Sequence, residues 1–146
     1  MTAPSVGSRR VKPTLDTKFH IDYDWWERSD QDLQVNIVAQ LLPEQREYFS
    51  EHGAGRESDW IDPDTAEVRR VNALEMALQE AARDPAFFEP PVSLVNAVFR
   101  VFLTNGNEPL SPQELAAIIK RPPMMILRTL SGQQVYKGIR PYTGDR

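Results

Sequence analysis

Cysteine is absent from the 146 residues, and histidine occurs only twice. Disulfides, thiolate metal sites, cysteine nucleophiles and zinc-finger frameworks are thereby excluded, with the enzyme classes that depend on them. No apolar run is long enough to span a bilayer, and the opening MTAPSVGSRRVKP lacks the apolar stretch of a secretory signal. The expectation is a soluble, cytoplasmic protein with no membrane partner. A nucleophile elbow, a phosphate-binding glycine loop and the helix motif of zinc proteases are also missing. The chain therefore reads as a non-enzyme, with no cofactor and no small-molecule substrate inferred.

What is present is enough for a packed core. Apolar residues make up 40% of the chain, adequate at this length for one ordinary domain or two very small ones. The net charge of -4 argues against a generic polyanion binder, but its distribution is uneven. Residues 1–90 carry -8 and residues 91–146 carry +4. A basic C-terminal half can lie along phosphates, or it can dock on the acidic half of the same fold.

Along the chain, residues 1–14 are predicted to form a mobile arm with Arg9, Arg10 and Lys12 as basic contacts. In KFHIDYDWW, Phe19, Ile21, Tyr23 and Trp25 alternate with His20, Asp22, Asp24 and Trp26, the period of a half-buried strand. Adjacent tryptophans on a strand point to opposite faces, which leaves one exposed; Trp26 is assigned as a partner contact. A helix is predicted from Ser29 through Leu33, Ile37 and Leu41, and a second opens at Pro43 and ends at Gly53. DWIDPDTAEVRRV predicts a hairpin around a Pro-Asp-Thr turn, and NALEMALQEAAR a helix with Leu74, Leu78 and Ala81 on one face. The proline-rich DPAFFEPPVS separates an N-terminal part, 15–90, from a C-terminal part, 91–146.

Signals are sharper after that boundary. SLVNAVFRVFLTNGN is apolar on nearly every side, as a central helix would be, with Asn105-Gly106 as its stop. Ser111, Pro112 and Glu114 make a capping box, and Leu115, Ile118 and Ile119 give the buried side of the helix they start. Another helix begins at Pro123, with Ile126, Leu127 and Leu130 inward and Gly132 at its end. The remaining QQVYKGIRPY is a short extended or hairpin segment carrying Lys137 and Arg140.

A long apolar helix, LSPQELAAII, PPMMILRTLSG and VYKGIRP together resemble the winged helix-turn-helix superfamily over residues 92–142. Together with the elements read above, the expectation is an α+β, mostly helical fold: an N-terminal helical part with a strand and a small hairpin, packed on a winged-helix-like unit. The N-terminal FHIDYDWW is similar to an uncharacterised bacterial family, which implies no activity. Within the superfamily likeness, the third helix implies a DNA contact. Arg128 is the candidate for a guanine, Thr129 for bases or phosphates, and Lys120, Arg121, Lys137 and Arg140 for phosphates. The leading expectation is a DNA-binding protein, such as a regulator of transcription. Met124 and Met125 sit where polar side chains would suit bases better. They give the alternative of a protein-interaction module or complex subunit, unless they close the core.

Two acidic constellations invite a metal. His20, Asp22 and Asp24 share a face of the proposed strand but lie roughly 7 Å apart from one to the next, too far to converge unaided. Asp62, Asp64 and Glu67 fall in a turn without the ligand number or glycine of a calcium loop. No metal is assigned to either.

Overall fold

The computed structural model describes residues 12–52, 57–61 and 68–144, with 57–61 and 68–71 described by their backbone alone. The expected arm lies outside the described residues except for its last three positions. Asp22 decides how the first segment folds. Its carboxylate accepts from the Asp24 amide at 3.0 Å and starts a helix, so the period-two alternation ends after strand β1, Phe19–Ile21. Helix α1, Tyr23–Arg28, replaces the second half of the predicted strand.

Helix α2, Leu33–Val38, is capped by Asp32 and not by Ser29, which instead closes α1. Leu41 lies beyond α2 but is buried. Helix α3, Pro43–His52, opens at the predicted proline. Strands β2, Glu57–Ile61, and β3, Val68–Asn72, form the predicted antiparallel hairpin; its turn, like Gly53, lies outside the described residues. Asn72 then caps α4, Ala73–Ala81, which buries Leu74, Leu78 and Ala81 as its periodicity requires. A short 3-10 helix, Pro85–Phe88, occupies the proline-rich segment.

Helix α5, Leu94–Thr104, is the central helix, burying Ala97, Val98, Phe99, Val101 and Phe102. Helix α6, Pro112–Ile119, carries the full capping box of Ser111 and Glu114. It ends on Lys120 in the left-handed conformation, a place the sequence marks with no glycine. Helix α7, Pro123–Leu130, buries Ile126 and Leu130, with Leu127 half-buried. Its predicted glycine stop is not left-handed: Ser131 closes the helix and Gly132 has an ordinary φ.

The last segment ends in an extended strand, one of the two forms expected of it, but its partner is not local. Strand β4, Ile139–Pro141, pairs antiparallel with β1 from the other end of the chain, Ile21 opposite Ile139. The second edge of β1 is also occupied. Phe19 exchanges backbone hydrogen bonds with Leu110 at 2.8 and 3.0 Å, and the Asn107 side chain both donates to and accepts from the Ile21 backbone. One short strand is thus wedged between two segments that are both distant from it in sequence.

The described architecture is α+β and mostly helical, with seven α-helices and two two-stranded antiparallel sheets among the described residues. Two apolar clusters form the core. The larger joins β1, Trp26, α5, α6, α7 and Ile139; the smaller joins Leu41, Phe49, α4 and Phe87. Ile37, Phe88 and Leu103 pack against both. No helix among the described residues is long and apolar enough to cross a membrane.

Candidate interaction surface

Helices α6 and α7 pack across the turn at Lys120 and Arg121, and they present most of the candidate contact residues. Burial of Leu115, Ile119, Ile126 and Leu130 fixes which sides face the core. Met124 and Met125 then stand 48% and 46% exposed, and Ile118 on α6, expected on its buried side, is exposed as well. The methionines do not close the core. Lys120 and Arg128 are also exposed, and neither makes a side-chain hydrogen bond or ion pair among the described residues.

The other four candidate contacts are engaged within the fold. The half-buried Arg121 guanidinium donates to the carbonyl of Val92, tying the α6–α7 turn to the segment before α5. Thr129 donates its hydroxyl to the Met125 carbonyl at 2.9 Å, one turn back in its own helix. Arg140 is exposed but lies 3.9 Å from the Asp22 carboxylate. Lys137 turns furthest inward. Its φ of 55° directs the backbone through a left-handed corner, and its ammonium donates to Asn36 at 2.9 Å while sitting 5.6 Å from the centre of the Phe99 ring. Burial pushes this ammonium below the ordinary lysine value.

Trp26 belongs to the same corner and not to the surface. On α1 it follows helical spacing, is only 4% exposed, and stacks on Phe99 with ring centres 5.9 Å apart. Its indole N–H donates to the Lys137 carbonyl at 3.0 Å. The expectation of an exposed contact at Trp26 is overturned because the strand that would have displayed it ends at Asp22.

Sequence reasoning missed a polar joint between the clusters. Gln40 is 3% exposed; its carbonyl oxygen accepts from Arg100 at 2.9 Å, and its amide donates to Asn96 at 3.2 Å. Arg100 also donates to the Phe87 carbonyl and covers the Phe87 ring. Burial lowers the Arg100 pKa, and the neighbouring Arg46 lowers it further. The available signal was a single charged residue, Arg100, in a largely apolar helix.

A pocket of about 490 Å³ gathers Asp16, Lys18 and Glu114, but Lys18 and Glu114 are already paired with each other there at 2.8 Å. The cleft of about 610 Å³ between the end of α7 and β4 is lined by one charged side chain, Arg140. No group of three or more histidine, aspartate or glutamate side chains with metal-binding geometry occurs among the described residues. The alternation expected to place His20, Asp22 and Asp24 on one strand face ends at Asp22, which caps α1 on the Asp24 amide. Compared with known proteins, the chain matches no family model, no curated protein and no solved structure.

Proposed function

We propose that this chain is a non-enzymatic protein-interaction module, docking a partner on the outward face of α7. The observation that carries the reading is the near-half exposure of two adjacent methionines on a helix whose opposite side is fully used by the core. Methionine is flexible and polarizable, so it suits an adaptable apolar contact, and exposing two together without a partner is unfavourable in water. Lys120 and Arg128 flank them as rim charges. Tagged protein recovered from its host after nuclease treatment should retain a stoichiometric partner. Met125→Asp should abolish that recovery while leaving the helical circular-dichroism spectrum unchanged; an unchanged recovery would sink the reading.

Duplex DNA remains the second reading, favoured by the outward cations Lys120 and Arg128 on a helix-turn-helix arrangement. Two unengaged cations give a small electrostatic footprint compared with the roughly six or more phosphate contacts typical of salt-sensitive binders. In that reading Arg128→Ala removes a salt-dependent mobility shift of duplex DNA at low ionic strength. Absence of any shift with the native chain would eliminate it.

A further inference from the structure

A second surface complements the α7 face. Between α3 and α4 lies a groove of about 390 Å³, with buried Phe49 and the half-buried Met76 and Ala77 in its lining. Tyr48 forms a wall and is 43% exposed. Glu44 stands on the α3 rim and Glu80 on the α4 rim, both exposed. The two helices are tied together by Gln45, whose amide donates to the Ala77 carbonyl at 3.1 Å. Arg46, the cation within α3, turns away to donate to the Leu41 carbonyl.

We propose that the outward face of α7 docks into this groove on a second copy of the chain. The inference rests on the docking-module reading and names its partner. Chemically the two surfaces are opposites: an apolar projection flanked by Lys120 and Arg128 meets an apolar groove flanked by Glu44 and Glu80. No side-chain carboxylate occurs from Leu115 to Gly144, so α7 and the chain on either side of it add no negative charge to oppose the acidic rims. Methionine sulfur against Tyr48 and Phe49 is a favourable pairing in its own right. Eight residues of helix span about 12 Å, a length suited to a short two-helix groove. Neither surface can pair with its own copy, because cation would face cation or carboxylate face carboxylate. Each contact therefore joins α7 of one protomer to the α3–α4 groove of another.

Sedimentation velocity of the full chain at low salt tests this. The weight-average sedimentation coefficient should rise with concentration toward ~1 mM, the weak end of specific affinity, and the rise should diminish with added salt. Glu80→Lys and Arg128→Glu change exposed side chains and should each weaken association about tenfold. An equimolar mixture of the two variants should restore it. In the mixture the charge-reversed groove of one variant can receive the charge-reversed helix of the other, and the remaining groove and helix still carry the native Glu80 and Arg128. A native chain that stays monomeric throughout overturns the proposal, as does a mixture no more associated than its separate components. If the monomeric chain still recovers a Met125-dependent partner, the occupant is a different protein and the docking-module reading survives. Loss of both self-association and Met125-dependent recovery removes the reading itself.

Discussion

Arg128 and Lys137 lie nine positions apart in the same basic stretch, yet the fold puts them to opposite use. Arg128 rides the exposed side of a helix whose inward face is set by apolar spacing. Lys137 occupies a corner where the chain turns back to reach β1, and its side chain is drawn over Phe99 toward Asn36. A basic residue is thus no guide to a basic surface unless the path of the backbone beneath it is known. The difference rests on Gly138, with φ of +73°, which lets the turn close against Trp26.

Gly138→Ala should break the comparison most severely. A Cβ there would stand 2.7 Å from the Trp26 indole nitrogen and 2.9 Å from the adjoining ring carbon, on a backbone conformation that side chains resist. We expect a loss of about 3 kcal/mol, read as a lower urea midpoint. The same substitution at Gly132, whose Cβ would meet only carbonyl oxygens at ordinary contact distances, should change stability by less than about 0.5 kcal/mol. Equal effects at the two glycines would show that the corner does not govern where Lys137 points.

Arg100 extends the contrast to a half-buried cation that joins the two clusters. Arg100→Met keeps much of the apolar stem but leaves the carbonyl oxygens of Gln40 and Phe87 without their donor. Removing one partner of such a buried set costs about 2 kcal/mol. Because Ile37, Phe88 and Leu103 bridge the clusters beside this joint, the loss should appear as one cooperative transition at lower denaturant. Separate transitions for the N-terminal and C-terminal signals would show that Arg100 couples two independently folding units.

How much of this was legible depended on whether the signal was local. The capping box at Ser111, the central helix around Phe99 and the exposed methionines follow from spacing within one or two helical turns. The fate of FHIDYDWW did not, because alternation from Phe19 to Trp26 fits a strand until Asp22 is read as a cap. Its pairing was less legible still. Nothing near Phe19 or Ile139 declares that these two strands lie side by side, and nothing in QQVYKGIRPY tells that the partner of its extended end is β1 and not a local strand. For the candidate contacts the same rule held. Exposure of Arg128 followed from helix geometry, whereas the commitments of Arg121 to Val92 and Lys137 to Asn36 join residues distant in sequence.

The smallest expected effect sharpens the comparison through pH. Replacing Arg128 by Met removes an exposed charge and should shift stability by less than about 0.5 kcal/mol at any pH. Replacing Lys137 by Met should also cost less than about 1 kcal/mol near neutrality, because the lost hydrogen bond to Asn36 is offset by no longer burying an ammonium. Their pH dependences differ in a way that burial dictates. Burial lowers the Lys137 pKa from its ordinary 10.5, so between the lowered value and 10.5 the native state holds fewer protons than the unfolded chain. Stability conferred by this residue therefore rises with pH through that window, while below it the charged lysine carries a constant penalty. Urea unfolding at neutral pH and at about pH 10 should show the native chain gaining on Lys137→Met as pH increases, and holding a fixed difference from Arg128→Met. A difference from Lys137→Met that does not change with pH would place the ammonium in solvent and make the two cations alike.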